Sequence, residues 1–413
     1  VPSVLRVPAF RRVWLASLAS NAGSWLQIVA AGWLVLDMTG SPAAVGMLAL
    51  LARAPAILLS GHAGALADRF DRRTVGIWTF VLQGVAALAL AIVAWAGAAS
   101  LAIVFALTFA VGVGFALGLP AMLALIPSLV APRRLSQAVS LNAAGINVAR
   151  AVGPAIGGVT LATLGAGACF AVNAVSFLAL VAALLRLPPR PPQGRSPSAP
   201  VLRAVRHAAG DPAARRLLMG VAIFAALAAP AQELAPAVAA DLGAGPRGLG
   251  ILLGAMGAGA LLGAWLFERL TGVGLPRHRA LPVASALVAL GIGGLALAPG
   301  LVLAVVAMAF LGCFWIWMFA GTNTAIQLTS PRGLLGRMLG LYQLAVIGPI
   351  ALGSVAVGGL AEALGIRWAL GATAIGLGAW GIWSLLNPVP AIDRDRRPQR
   401  EPAADEGAAR VPG

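Results

Sequence analysis

Long apolar runs follow one another along almost the whole 413-residue chain, and no other feature constrains the fold as tightly. A helix of about 20 apolar residues crosses the hydrocarbon core of a bilayer. Every backbone polar group inside that core must be paired within its own segment, so such runs fold as spanning helices. Twelve can be read, each 19 to 29 residues long, at 13–36, 43–66, 74–97, 101–129, 136–163, 168–187, 216–240, 248–270, 280–298, 301–328, 337–363 and 366–386. Charged residues make up only 10% of the chain, where a soluble domain carries about 25%. The pattern predicts an all-α membrane protein of twelve transmembrane helices. The first run exceeds the h-region of a secretory leader and is expected to remain as a span.

The charges separate by side. All 29 basic residues are arginine, which excludes a P-loop lysine and a Schiff-base lysine. His62, His207 and His278 are scattered, and Cys169 and Cys313 sit in apolar runs. Neither metal-ligand spacing nor a disulfide framework is present, so no metal and no cofactor are expected. A net charge of +16 would suggest nucleic acid in a soluble protein. Here, with the N-terminus inside, 25 of the 29 arginines fall on the inner side and only Arg247 and Arg367 on the outer. The positive-inside rule accounts for that bias, places both termini in the cytoplasm and disfavours nucleic acid as a partner.

An internal repeat divides the chain. SPAAVG, Ser41 to Gly46, recurs in kind as GPRGLG, Gly245 to Gly250, about 204 residues later. The run from Leu141 to Gly158 is echoed by that from Leu341 to Gly359. The expected organisation is an N-terminal six-helix bundle (1–187), a cytoplasmic linker (188–215), a C-terminal six-helix bundle (216–386) and a cytoplasmic tail (387–413). The tail is rich in Pro, Ala and charge and reads as disordered. Repeats of this kind place a transport site at their interface.

Two motifs carry a resemblance. The loop GALADRFDRR, Gly64 to Arg73, resembles the signature loop of the major facilitator superfamily, G-x-L-A-D-R-x-G-R-R. It matches at Gly64, Leu66, Ala67, Asp68, Arg69, Arg72 and Arg73, and departs at Asp71. GPAIGG, Gly153 to Gly158, is similar to the G-P-x-x-G-G motif of exporter members. The N-terminal runs PAFRRVW, NAGSWLQ and LDMTGSPAAVG resemble the transmembrane secretion effector, or enterobactin-exporter-like, branch. The resemblance implies the major facilitator fold, two pseudo-symmetric bundles of six helices. It implies that Gly64 permits a close backbone approach and that Asp68 meets the start of the eleventh span, favouring one closed state. The alternative is that Asp68 and the arginines merely mark a cytoplasmic loop. In the fifth span, Ala149, Gly153 and Gly157 share a face, with Arg150 and Asn142 on or beside it and Pro154 and Gly158 flanking. Small residues at that spacing allow close helix packing; the resemblance adds a hinge or seal between the halves.

Ionisable groups at membrane depth are functional candidates by default. Arg53, Arg150 and Glu233 are the three here, with Glu233 flanked by Pro230 and Pro236. A carboxyl group withdrawn from water can carry a proton. Glu233 is therefore either a proton carrier or one half of an ion pair with Arg53 or Arg150. Proton-linked drug exporters of the superfamily often hold an arginine in the fourth span, and this chain has none between Leu101 and Leu129.

The expected substrate cavity draws Ser17, Asn21, Ser24 and Gln27 from the first span, Phe115 from the fourth, Asn142 from the fifth, and Trp317, Asn323 and Gln327 from the tenth. It would be apolar, with little fixed charge, suiting amphipathic or aromatic organic molecules. The expectation is a monomeric, multi-pass transporter of the bacterial cytoplasmic membrane that exports a siderophore, drug or secondary metabolite against protons by alternating access. An uptake or facilitated-diffusion carrier of the same fold is the first rival. A membrane-embedded enzyme is the second, and would need clustered acids, His or Cys that the sequence lacks.

Overall fold

The computed structural model describes residues 3–189, 201–272, 277–331 and 333–388, without the side chains of residues 65, 67, 68, 201, 202, 277 and 278. The Pro- and Arg-rich start of the linker (190–200) and the tail from 389 onward lie outside the described residues, and so do the expectations made for them.

Thirteen α-helices run in order: α1 Pro8–Thr39, α2 Pro42–Arg69, α3 Arg72–Trp95, α4 Leu101–Ser128, α5 Leu135–Leu185, α6 Val201–Gly210, α7 Pro212–Glu233, α8 Ala235–Asp241, α9 Gly245–Gly272, α10 Arg277–Ala296, α11 Leu301–Thr329, α12 Leu335–Leu364 and α13 Ile366–Leu386. Their ends carry the expected chemistry. Ser41, Asp71 and Ser100 accept hydrogen bonds from the first-turn amides of α2, α3 and α4. Gly40 closes α1 in the left-handed conformation.

By length and apolarity, ten segments among the described residues can cross a membrane, two fewer than the sequence runs suggest. Both differences have a physical cause. The segment Pro132–Leu185, 54 residues long, can cross twice. Its two arms are separate helices that meet at a kink at Gly165, whose φ of 78° and ψ of 176° are non-helical. The 32-residue α1 is absent from the ten; Ser17, Ser20, Asn21, Ser24 and Gln27 dilute its apolarity while its length remains ample.

Helices α1 to α5 pack with one another, as do α7 to α13, and the two groups meet chiefly along two seams, α2 against α12 and α5 against α9. The seams are copies of each other. In one, a Cβ on Gly46 would overlap the Ser354 carbonyl, and one on Gly358 would stand 2.8 Å from the Pro42 oxygen. In the other, a Cβ on Gly250 would stand 3.3 Å from the Pro154 oxygen, and one on Gly158 3.0 Å from the Pro246 oxygen. Positions 42 and 46 map onto 246 and 250, and 154 and 158 onto 354 and 358, by the offsets visible in the sequence. The fold is the all-helical, pseudo-symmetric architecture that the repeat predicted.

Both seams lie toward the Arg-poor end. There α2 buries Val45, Leu48 and Ala49; beyond Pro55, toward the Arg-rich end, it buries only Ala63 among the described residues. Gly61 and Gly64 on α2, and Gly336 and Gly340 on α12, have nothing among the described residues near where a Cβ would sit. The close approach expected at Gly64 is therefore absent here, because the helices are parted at that end.

Candidate functional site

Between the two groups of helices lies a charged cluster built by a break in a helix. Pro236 lacks the amide that would continue α7 and crowds the carbonyl one turn back. The helix stops at Glu233, Leu234 takes a non-helical conformation, and α8 begins at Ala235. Glu233, at the end of α7, accepts a hydrogen bond at Oε1 from Nη2 of Arg53 at 2.6 Å. Arg53 also donates through Nη1 to the Ala49 carbonyl at 3.1 Å. The Arg53 side chain is 24% exposed and that of Glu233 only 9%. The pair thus ties α2 to α7 across the two groups of helices.

Arg150 lies on α5 beside the second seam. Its guanidinium carbon sits 5.9 Å from the centre of the Trp25 ring, within range of a cation–π attraction. Its Nε is buried without a hydrogen-bond acceptor. Around it opens a small half-open recess, lined by Trp25, Pro154, Gln232, Met256 and Trp315 among others. Trp315 of α11, which the sequence analysis did not single out, is part of its wall.

The remaining candidates divide. Asn21 and Ser24 on α1 and Asn142 on α5 are half-buried. Ser17 is buried with an unpartnered hydroxyl. Asn323 and Gln327 hydrogen-bond to each other along α11, with Gln327 exposed. Phe115 is 49% exposed on α4. Two members expected in the cavity belong elsewhere. Gln27 is buried and accepts a hydrogen bond from Asn173 Nδ2 at 2.7 Å, which binds α1 to the second arm of α5. Trp317 donates from its indole to the Gly263 carbonyl at 2.8 Å and packs among Phe267, Phe314, Ala280 and Ala284, between α9, α10 and α11. Two residues along a helix turn a side chain by about 200°, so Trp315 and Trp317 face opposite ways.

The small-residue stripe of α5 also needs correction. Ala149 is buried on a stripe whose glycines meet α1: Gly145 lies against Trp14, Gly153 against Trp25, and Gly157 against Leu26 and Val29. That face packs inside the first group of helices. The contact across the halves falls on the neighbouring face, where Ala151, Pro154, Ala155 and Gly158 meet Gly250, Gly254 and Gly257 of α9.

In the signature loop, Asp71 caps α3 through the Arg73 amide at 3.0 Å, which gives a physical use to the one departure from the superfamily pattern. Arg73 donates to the Leu184 and Leu185 carbonyls at 2.9 and 3.0 Å, and Arg72 to the Ala124 carbonyl at 3.4 Å. Cations at helix C-termini are favourable, and these two hold α3 to the ends of α4 and α5. Arg69 is exposed, and the Asp68 side chain lies outside the described residues.

Comparison with known proteins places this architecture. Residues 2–410 match the family described as transmembrane secretion effector. The enterobactin exporter EntS of Escherichia coli (strain K12) is 29% identical over 413 residues, covering 96% of this chain and 96% of the relative. That of Citrobacter koseri is 30% identical over 368 residues, covering 86% and 85%. Among solved structures, a bacterial homologue of the iron transporter ferroportin in an inward-facing state superposes with a TM-score of 0.73 at 18% identity, covering 93% of this chain and 99% of that one. An inward-facing bacterial homologue of the lysosomal transporter Spinster gives 0.72 at 17% identity, covering 94% and 97%. These structures share the fold. The chain is a multi-pass membrane transporter, not an enzyme, and it belongs to the transmembrane secretion effector family of major facilitators.

Proposed function

We propose that this protein exports a small amphipathic organic molecule across the bacterial cytoplasmic membrane by alternating access, driven by inward movement of protons. The observation that carries the reading is the unequal treatment of the two ends. Glycine-lined seams close the Arg-poor end, while glycines on the same helices stand free at the Arg-rich end. With the arginines inside, the chamber opens to the cytoplasm, where an exporter loads. All twelve rods span in this reading, α1 included, as two bundles over 1–187 and 216–386 joined by the linker, both termini are cytoplasmic, and a single copy suffices. The relatives named enterobactin exporters favour a siderophore over a drug as the substrate. Glu233 is the proposed proton carrier: protonation would release Arg53 and free α2 from α7. Asp68 and the loop arginines would steady the opposite, outward-open state.

Inside-out vesicles test the reading. With an acidic lumen, vesicles carrying the protein are expected to accumulate enterobactin, and collapsing the gradient should abolish accumulation. Glu233→Gln should accumulate nothing in response to the gradient. Full gradient dependence in that variant would reduce Glu233 to an ion-pair partner. Accumulation in right-side-out vesicles alone would favour the uptake carrier.

A further inference from the structure

The charges of this cluster do not balance. Two guanidiniums, Arg53 and Arg150, share it with one carboxylate, Glu233, and that carboxylate is engaged by Arg53 at 2.6 Å. Arg150 has no ion-pair partner among the described residues. Trp25 covers one face of its guanidinium, and its Nε finds no acceptor although buried. A cation held at membrane depth is costly, and an unmet buried donor adds to the cost. Plain packing does not explain its retention, because the seam beside it is made by the backbone of Arg150 and Ala151 against Gly257 and needs no guanidinium.

The surroundings specify what would complete it. The recess is contributed by both groups of helices: Trp25 from α1, Arg150 and Pro154 from α5, Gln232 from α7, Leu253 and Met256 from α9, and Trp315 from α11. Its walls are two indoles, aliphatic side chains and the amide-bearing Gln232, and its one formal charge is positive. The recess is half-open and has room for little more than an oxygen, so a ring that carries one sits at the mouth, against the indoles. We propose that this recess is an anion subsite: it receives an ionised oxygen, carboxylate or phenolate, carried on an aromatic ring of the transported molecule. The oxygen accepts from the guanidinium of Arg150, and the ring lies at the mouth against Trp25 and Trp315. Planar guanidinium donors suit this task better than a point charge. The expectation of a chamber with little fixed charge is replaced by one that selects an anion. The proposal rests on the transporter reading above and adds the chemistry of the cargo.

The test is equilibrium dialysis of the purified full-length chain in detergent against radiolabelled salicylate and its neutral counterpart salicylamide. The wild type is expected to bind salicylate saturably in the millimolar range, as befits so small a fragment, and at least about tenfold more tightly than salicylamide, as a charge-assisted contact warrants. Arg150→Gln should bind the two equally. Arg150→Lys should keep part of the preference, and it serves as the test if Arg150→Gln does not elute as a folded species. Equal binding of acid and amide by the wild type, absence of saturable salicylate binding, a preference that survives in Arg150→Gln, or one undiminished in Arg150→Lys would each overturn the proposal. The inside-out vesicles separate it from the export reading. Gradient-driven accumulation without acid preference sinks the subsite alone, and acid preference through Arg150 without accumulation sinks export alone.

Discussion

The two ends of the helix bundle use the same helices in opposite ways. At the Arg-poor end, α2 meets α12 and α5 meets α9 through glycines set directly on backbone carbonyls and α-carbons. At the Arg-rich end, α2 and α12 carry glycines again, at Gly61, Gly64, Gly336 and Gly340, and these meet nothing among the described residues. The seams themselves hold no ion pair among the described residues; the charged tie between the groups of helices, Arg53 to Glu233, joins α2 to α7. A seal made of van der Waals contact between backbones is specific in shape but separates without breaking strong bonds. Under the alternating access proposed above, free glycines at one end and buried ones at the other would be the same device, at rest and in use.

The largest effect expected follows directly. Leucine at Gly158 would overlap the backbone of Gly250 and hold the Arg-poor end apart. Gly158→Leu should therefore cut transport to below about a tenth of wild type while the chain still inserts. A lone cysteine at Ser24, with Cys169 and Cys313 replaced, should become reachable from the Arg-poor side. Gly64→Leu meets no neighbour in this conformation. It should leave the thermal midpoint unchanged and still stop transport, by denying closure at the other end. If Gly64→Leu transports normally, the glycines of the two ends are not equivalent and the comparison fails.

A smaller effect is expected at Asp68. In the proposed outward-open state its carboxylate would face the start of α12, where a negative charge gains about 0.3–1 kcal/mol from the helix terminus. Asp68→Asn should lower transport several-fold in the vesicle assay, with insertion and thermal midpoint unchanged. Normal transport by Asp68→Asn would leave the loop with the structural work that Asp71, Arg72 and Arg73 already perform at the ends of α3, α4 and α5.

Much of this molecule was legible because the bilayer leaves few choices. Run length set the helices, and the offset between SPAAVG and GPRGLG marked an internal repeat whose counterparts Gly46 and Gly250 lie in matching seams. What escaped was which neighbour each helix face meets. In a soluble helix one polar face announces solvent. Here lipid and protein neighbours are both apolar, so Trp315 and Trp317 look alike in the sequence, yet one lines the recess and the other packs against α9 and α10. The same ambiguity moved the seal of α5 from the stripe of Ala149, Gly153 and Gly157 to its neighbour at Pro154 and Gly158. The lone charge of Arg150 was visible as a residue but not as an imbalance, since only the fold reveals that Arg53 takes Glu233.

The smallest effect tests whether the interior of one bundle is separate from the chamber between bundles. Asn173 is fully buried, donates to Gln27 at 2.7 Å, and accepts at Oδ1 from the Ser176 hydroxyl at 3.0 Å. Gly23 packs directly on it: a Cβ there would lie 2.7 Å from Asn173 Oδ1. Gln27 thus faces the second arm of α5 rather than the recess. Asn173→Ala removes one interhelical hydrogen bond, worth about 0.6 kcal/mol within a membrane, and leaves the Gln27 amide buried without its partner, at a further cost of about 1 kcal/mol. The thermal midpoint should fall by about 2 °C, with the KM for transport unchanged. A shift in KM would return Gln27 to the substrate path, and with it the polar face of α1 from Ser17 to Ser24 would have to be redrawn as one continuous wall of the chamber.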